Sequence, residues 1–262
     1  MPDEPLYDAI IGRIFLKHYR AGVTDFEFNR SELTEAAAAL GVADPKNLGD
    51  LIYSFRYRKP LPLRIRATAT GELVWMIEPA GRAKYRFRMS RVSRIVPRED
   101  LIVIKLPDTT PEIISTYAQG DEQALLARVR YNRLIDIFLG ITTYSLQNHL
   151  RTTVRGMGQI EIDELYVGLS RSGQQFVIPV QAKGGSDQLA VIQTQQDIAC
   201  CQEKYARLKC RPVSAQFMAD GVIAMFELTL QDGQVRVVDE RHYKLVPSDQ
   251  ITAEDLKNYA ER

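Results

Sequence analysis

The chain has 262 residues, of which 45% are hydrophobic and 26% charged, and its formal net charge is +1. No apolar run approaches the roughly 20 residues that a membrane-spanning helix needs, so we expect no membrane contact. The acidic opening MPDEPLYD is not typical of a secretory signal. The 3 cysteines form neither an even disulfide framework nor a zinc-ligand spacing, which is typical of the reducing cytoplasm.

The first 90 residues are predicted to form a helical domain that ends in strands. Apolar residues at helical spacing, with end signals, predict helices over residues 6–20, 31–40 and 48–57. Turn residues then separate predicted strands over residues 63–69, 73–78 and 83–89. Three helices followed by a β-hairpin resemble the winged helix, a general DNA-binding shape. The resemblance implies that the third helix enters a major groove.

Basic residues are concentrated in the same region. Between Leu51 and Arg98 the sequence carries twelve basic residues, ten of them arginine, and only two acidic ones. Arginine suits bidentate contacts to phosphate and to guanine. We therefore predict that six of these residues bind double-stranded DNA: Arg56, Arg58, Lys59, Arg64, Arg66 and Arg86. The alternatives are a solvated charged face and a winged helix used for protein contacts.

A linker over residues 91–118, with one short strand at 101–106, is predicted to lead into a second domain over residues 119–262. Periodicity predicts helices in this domain over residues 121–139, 142–152, 187–208 and 253–262. Strands are predicted over residues 159–169, 175–183, 213–218, 222–230 and 235–238.

The strands at 159–169 and 175–183 are predicted to form a hairpin, because Ser170 to Gln174 has the composition of a turn. Side chains alternate across a strand, so Glu161 and Asp163 share one face and lie roughly 6.5 Å apart. In-register pairing then predicts a single polar cluster: Glu161, Asp163, Gln181 and Lys183. The other face of the second strand is apolar: Phe176, Ile178, Val180 and Ala182.

The polar cluster has the parts for metal-assisted hydrolysis of a phosphodiester. Carboxylate and amide oxygens suit Mg²⁺, which keeps several waters and uses one or two carboxylates. A lysine beside the metal can orient or deprotonate a water, or neutralise charge on a phosphate. The Gly-rich turn from Gly184 to Asp187 precedes a predicted helix, and a helix N-terminus favours phosphate. The alternative is an ordinary amphipathic hairpin whose charged face is solvated.

The hairpin resembles the signature of the PD-(D/E)XK nucleases, which have the restriction-endonuclease-like fold. Asp163 matches the Asp of that signature, and Gln181-Ala182-Lys183 match its second half. The resemblance, which covers about Asp121 to Val246, implies that Asp163 and the main-chain carbonyl of Ala182 bind Mg²⁺. It also implies that Lys183 steers or activates the attacking water.

The sequence departs from the family at Gln181, where an acidic residue is usual. Glu161, on the same face, is expected to supply the missing charge as a further metal ligand, and Gln181 to orient the water. The family sometimes adds an acid from a helix, for which Glu122 and Asp136 are candidates. For several polar residues both a phosphate contact and a plain polar helix face stay open: Gln147, His149, Arg151, Gln193, Gln195 and Gln196.

Together these features predict an α/β (α+β) protein. A winged-helix domain precedes a mixed central sheet, flanked by helices, of restriction-endonuclease-like type. The predicted function is a Mg²⁺-dependent DNA endonuclease, best fitted by a cytoplasmic type II restriction enzyme that forms a homodimer. The alternative is a DNA-binding regulator or structural protein whose nuclease-like domain is inactive. A nuclease for RNA or modified DNA is a further possibility.

Overall fold

The structure is a computed structural model that describes residues 5–43, 45, 47–91, 94–117, 122–184 and 187–260. The chain divides into two compact units. The first unit contains Met1–Arg94, Thr153–Ile160 and Ala190–Ile192; the second contains Ile95–Thr152, Glu161–Leu189 and Gln193–Arg262. None of the helices in the described ranges has the length and hydropathy of a membrane-spanning segment.

The first unit combines helices with a small sheet. Its elements are α1 (Leu6–His18), β1 (Asp25–Asn29), α2 (Glu32–Ala39), α3 (Leu48–Tyr53), α4 (Leu63–Arg66), β2 (Val74–Pro79) and β3 (Lys84–Ser90). A π-helical turn, Ser54–Arg58, continues α3. The strands form an antiparallel sheet in the order β1-β3-β2. Its core is aromatic: the rings of Phe15 and Phe87 lie 5.2 Å apart, and Trp75 packs 5.1 Å from Phe15.

The strand expected over residues 63–69 is wrong, because Leu63–Arg66 is the short helix α4. Pro62 precedes it with φ near −50°, which prepares the backbone for a helix start. Ile65 then turns into the core and is fully buried. The strand β1, which pairs with β3 in register from Asp25 opposite Arg88, was not expected from the sequence.

The remaining chain alternates strands and helices. It contains β4 (Arg94–Ile95), β5 (Val103–Pro107), α5 (Glu112–Tyr117), α6 (Glu122–Tyr131), α7 (Leu134–Leu139), β6 (Thr142–Val154), β7 (Gly158–Leu169), β8 (Gln175–Lys183), β9 (Leu189–Ala190), α8 (Val191–Lys204), β10 (Lys209–Cys210), β11 (Val213–Phe217), β12 (Val222–Gln231), β13 (Gln234–Val246) and α9 (Ala253–Ala260). Short 3₁₀ turns occur at Ala219–Gly221 and Ser248–Gln250.

The large sheet has the strand order β5-β13-β12-β11-β8-β7-β6, and β10 also pairs with β8. It is mixed: β11 runs parallel to β8 and β13 parallel to β5, whereas β7 runs antiparallel to β8 and β12 antiparallel to both β11 and β13. The expected α/β architecture, a mixed sheet flanked by helices, is therefore confirmed. The hairpin of β7 and β8, with its turn at residues 170–174, is also confirmed.

The buried core of the second unit lies between this sheet and the helices α6 and α7. The four apolar residues expected on one face of β8 all belong to it: Phe176, Ile178, Val180 and Ala182. Leu125 and Val129 of α6 pack in the same cluster, and both are fully buried. Gln181 and Lys183 therefore occupy the opposite face of β8.

The sequence misplaced several elements of this unit. Residues 142–152 form a strand instead of the expected helix, since β6 is rich in β-branched threonine and joins the sheet beside β7. The expected helix over residues 121–139 is split by Arg133, whose φ of 52° is left-handed. The expected strand at 235–238 extends to Val246, where it pairs with β5.

The helix expected over residues 187–208 is shorter: β9 comes first, and α8 ends at Lys204. The predicted turn and helix start at Gly185 and Ser186, and the expected start of an earlier helix at Asp121, lie outside the described residues.

Candidate active site

Asp163 and Ala182 join the two strands of the hairpin at the predicted cluster. The backbone N–H of Ala182 donates to Oδ2 of Asp163 at 2.8 Å. The observed register pairs Glu164 with Val180, so Asp163 falls opposite Gln181 on the same face of the sheet. The carboxylate of Asp163 is partly buried, and its position is fixed by the main chain of the neighbouring strand.

Lys183 lies at the end of β8 and is only 7% exposed. Its Nζ forms an ion pair with Oε1 of Glu122, the first residue of α6, at 2.8 Å. Of the two candidate helix acids, Glu122 therefore belongs to the cluster. Asp136 does not: its carboxylate accepts hydrogen bonds from the backbone N–H of Thr143 and from Arg133.

Gln181 is buried within a network of polar side chains. Its Nε2 donates to the main-chain oxygen of Glu161 at 3.1 Å. The same nitrogen lies 3.1 Å from both carboxylate oxygens of Asp197. Its Oε1 accepts from Nε2 of Gln193 at 3.3 Å. Both ends of the amide are therefore engaged, and the side chain is held in one orientation.

Asp197, on α8, is a residue of the cluster that the sequence analysis missed. It is 2% exposed, and a buried carboxylate in the middle of a helix is uncommon without a partner. A signal was present in the sequence, because Gln193 and Asp197 are four residues apart and share one helix face. Gln195 and Gln196 are also buried, so the polar face that they form on α8 is turned away from solvent.

Glu161 lies at the rim of the cluster and has a 40% exposed side chain. Its carboxylate is 3.2 Å from Nε of Arg151 and 3.4 Å from Nδ1 of His149. Arg151 and His149 belong to β6, so the interpretation that they lie on a helix is wrong. The structure thus brings Asp163, Gln181 and Lys183 together, while the Glu161 side chain engages two cationic or basic partners beside them.

The pKa of Asp163 is set mainly by its burial. Burial is the largest effect and raises the pKa of Asp163 to about 6; the charges of Glu122 and Glu161 add to it, against the Ala182 N–H and Lys183. Burial also raises the pKa of Asp197 well above its ordinary value, although its contact with Gln181 acts in the opposite direction. A carboxylate with a raised pKa in a cluster of like charges is characteristic of functional sites.

The donor set suits a hydrated Mg²⁺ better than a metal enclosed by protein ligands. Within the described ranges, no three or more His, Cys, Asp or Glu side chains are placed to hold a metal together. Mg²⁺ needs only one or two carboxylates, and its remaining ligands are water and substrate oxygens. Asp163, a partly buried carboxylate beside the main chain of Ala182, fits that requirement.

The six predicted DNA-binding residues are all in the first unit, and several have internal partners. Arg58 is exposed, stacks 4.8 Å over the ring of Tyr53 and lies 3.4 Å from Asp50. The other partners are within the same unit: Lys59 to Asp8 at 2.5 Å, Arg64 to the Asp8 carbonyl at 2.8 Å, Arg66 to the Leu61 carbonyl at 2.9 Å, and Arg86 to Glu27 at 2.8 Å. Arg56 differs, because its Nε and Nη2 are buried without a hydrogen-bond partner among the described residues.

Comparison with known proteins gives one short match. The chain is 39% identical over 72 residues to an N-acetyl-D-glucosamine kinase from Erwinia tasmaniensis, which is 28% of this chain and 23% of that protein. The chain thus spans about a quarter of the length of the curated relative it matches. No family model matches the chain, and no solved structure matches it. A similarity of this extent assigns neither a family nor an activity.

Proposed function

We propose that the chain is a Mg²⁺-dependent DNA endonuclease that hydrolyses phosphodiester bonds, of the PD-(D/E)XK type and most simply a type II restriction enzyme. The observation that carries the proposal is the arrangement at the end of β8. There the Asp163 carboxylate, the Ala182 main chain and the Lys183 ammonium meet on adjacent strands. This arrangement supports the resemblance of the sequence to the PD-(D/E)XK signature.

Asp163 and the carbonyl of Ala182 would hold the Mg²⁺, with Glu161 or Glu122 as a further carboxylate. When bound, the metal supplies Lewis-acid polarisation of a phosphate oxygen and a water of lowered pKa. The raised pKa of Asp163 supports this role, because it arises mainly from burial, and a cation bound beside the carboxylate would stabilise the buried negative charge.

Lys183 would act directly on the substrate. A scissile phosphate beside Nζ would compete with Glu122 for this ammonium, which neutralises the charge that builds up on the phosphoryl oxygens. The water oxygen then forms a bond to phosphorus as the P–O3′ bond breaks. One product carries a 5′-phosphate and the other a 3′-hydroxyl, which takes up a proton.

Asp197 lies beside Gln181, the position at which the sequence departs from the family signature. Gln181 lacks the charge that the family usually carries there, but it is in contact with the carboxylate of Asp197. An acidic side chain is therefore in direct contact with Gln181, although burial raises its pKa, and the orientation that it gives to Gln181 supports an active enzyme over the inactive regulator. In this role Gln181 orients the water, and Asp197 positions Gln181.

The first unit supports recognition of double-stranded DNA. Its order of helix, strand, two helices, the short helix α4 and a β-hairpin resembles that of a winged helix, and the basic residues of the π-helical turn follow its third helix. We propose that this unit reads DNA and that the second unit is restriction-endonuclease-like. Cutting both strands requires two active sites, so we also propose a homodimer.

Substitution at the cluster separates the enzyme from the inactive regulator. Asp163→Ala and Lys183→Ala should each slow cleavage by about 10²- to 10³-fold or more, because each removes a group that acts in the transition state. Affinity for duplex DNA should stay within a few-fold of the wild type. Lys209→Ala, an exposed lysine of β10, is the matched control and should leave cleavage unchanged. If none of the three variants differs from the wild type in DNA cleavage or in DNA affinity, the result favours the inactive regulator.

A further inference from the structure

A small cavity in the first unit is lined by an unusual concentration of positive charge. Its volume is about 110 Å³, and it lies beside the π-helical turn Ser54–Arg58. Of the described residues that line it, four are cationic and none is acidic: Arg56, Lys59, Arg66 and Arg94. Apolar side chains complete the wall, including Trp75 and Ile77, both of which are buried in the core.

The guanidinium of Arg56 is the group without a counter-charge. Its Nε and Nη2 are buried and have no hydrogen-bond partner among the described residues. The neighbouring arginines are held by neutral main-chain acceptors, Arg66 by the Leu61 carbonyl at 2.9 Å and Arg94 by the Tyr57 carbonyl at 2.7 Å. Lys59 lies against the carboxylate of Asp8. Because the described lining of the cavity has four cationic side chains and no acidic one, the lining itself is positively charged.

Burial of a charged group without a partner costs several kilocalories per mole in free energy, and neighbouring like charges increase that cost. An anion in the cavity would offset it. The two N–H groups of Arg56 have the fork geometry that matches the oxygens of a phosphate. One water occupies about 30 Å³, so the cavity has room for about three waters. A tetrahedral oxyanion fits the same space, because its four oxygens are bonded to one central atom and lie closer together than separate waters do. Short π-helical segments are also frequent at functional sites.

We propose that this cavity binds one phosphate-sized oxyanion, held in bidentate fashion by Arg56. Such an oxyanion can come from two sources. One is free inorganic phosphate, and the other is a phosphate of the DNA backbone. The second source rests on the proposed function, whereas binding of the oxyanion itself does not.

Calorimetric titration of the full chain with inorganic phosphate tests the proposal. We expect one phosphate per chain, and weakening by about 10- to 100-fold in Arg56→Gln, the effect of losing hydrogen bonds to a charged group. Arg66→Gln should also weaken binding. Arg13→Gln, an exposed arginine of α1 that does not line the cavity, is the control and should bind as the wild type does. No binding, or equal binding by Arg56→Gln, would overturn the proposal.

Thermal unfolding with and without phosphate gives a second readout. The Arg56 guanidinium lies 4.8 Å over the Tyr57 ring, but its Nε and Nη2 have no hydrogen-bond partner among the described residues. Phosphate should therefore raise the unfolding temperature of the wild type and not that of Arg56→Met. An equal rise in both proteins would overturn the proposal.

A competition experiment identifies the source. If phosphate displaces a short labelled duplex from the wild type but not from Arg56→Gln, the backbone of DNA occupies the cavity. If phosphate and duplex bind together, the oxyanion is free phosphate. Neither result depends on cleavage, so a failure of the nuclease proposal would be seen separately from a failure of this one.

Discussion

Three buried polar side chains define the candidate site at the scale of single residues. Gln181 and Asp197 are each 2% exposed and Lys183 7% exposed, although burial of such groups is costly. Each has a specific partner, which lowers that cost. A chain that needed only a stable sheet could place apolar residues on this face of β8. The retention of the polar side chains is therefore best explained by a chemical role.

Asp197→Ala tests whether Asp197 positions Gln181. Loss of this hydrogen bond to a charged group should lower the DNA cleavage rate by about 10- to 100-fold, with little change in DNA affinity. A conservative Asp197→Asn change should recover part of that loss, since the amide can still accept from Gln181. Glu203→Ala, an exposed residue of the same helix, is the control. Unchanged cleavage in Asp197→Ala would remove Asp197 from the mechanism.

At the scale of elements, the sequence predicted correctly those helices and strands whose apolar residues recur at a regular spacing. The β7–β8 hairpin was predictable because the start of β7 alternates between apolar and acidic residues, and because the turn contains Gly173, whose φ of 81° suits a left-handed position. The strand β6 was not predictable, because most of its residues are exposed and its sequence has no clear apolar pattern. The contact of Asp197 with Gln181 joins α8 to β8, and no local pattern encodes such a tertiary contact.

The start of α2 supplies a test of pH dependence. Glu32 is its first residue; its carboxylate contacts Lys17 at 2.8 Å and His18 at 2.6 Å, and accepts from the Asn29 N–H at 2.8 Å. Burial raises the pKa of Glu32, but these three contacts outweigh it, and the pKa falls from 4.5 to about 2. A lowered carboxyl pKa contributes stability that is complete above the unfolded value of 4.5 and is lost as the pH falls towards 2.

We therefore expect Glu32→Gln to lower the free energy of unfolding at neutral pH by about 2–3 kcal/mol. The difference from the wild type should shrink as the pH falls below about 4.5. Fluorescence of Trp75 during denaturation reports on the first unit, because it is the single tryptophan and is buried there. Glu35→Gln is the control, since its contact with Lys17 at 3.4 Å is exposed and should contribute well under 1 kcal/mol. If the free energies of unfolding of Glu32→Gln and the wild type differ by the same amount across this pH range, the lowered pKa of Glu32 does not stabilise the fold.

At the scale of the whole molecule, the net charge of +1 conceals a strongly basic segment between Leu51 and Arg98. The structure divides this segment into cations that pair with acids in half-buried positions and exposed cations whose ion pairs are open to solvent. Arg88 belongs to the first group, at 3.0 Å from Glu78. Arg58 belongs to the second, because its 3.4 Å contact with Asp50 is exposed and contributes little. The sequence alone shows the density of the charges but not which of them are neutralised within the fold.

The salt dependence of DNA binding distinguishes these two groups. The slope of log affinity against log salt should be negative, and Arg58→Ala should make it shallower by about 0.9, the value for one phosphate contact. Arg88→Ala should leave the slope unchanged, because its charge is already paired. Fluorescence anisotropy with a labelled duplex measures both slopes. An affinity that does not respond to salt would contradict DNA binding by this surface.

The most direct test of the central claim is incubation of the purified full chain with mixed duplex DNA, with Mg²⁺ or with a chelator, followed by sequencing of fragment ends. The account predicts discrete fragments with 5′-phosphate ends in Mg²⁺, and intact DNA both in chelator and with Lys183→Ala. DNA that is bound by the wild type but stays intact in Mg²⁺ and in other divalent metals would contradict it, and would favour the DNA-binding regulator.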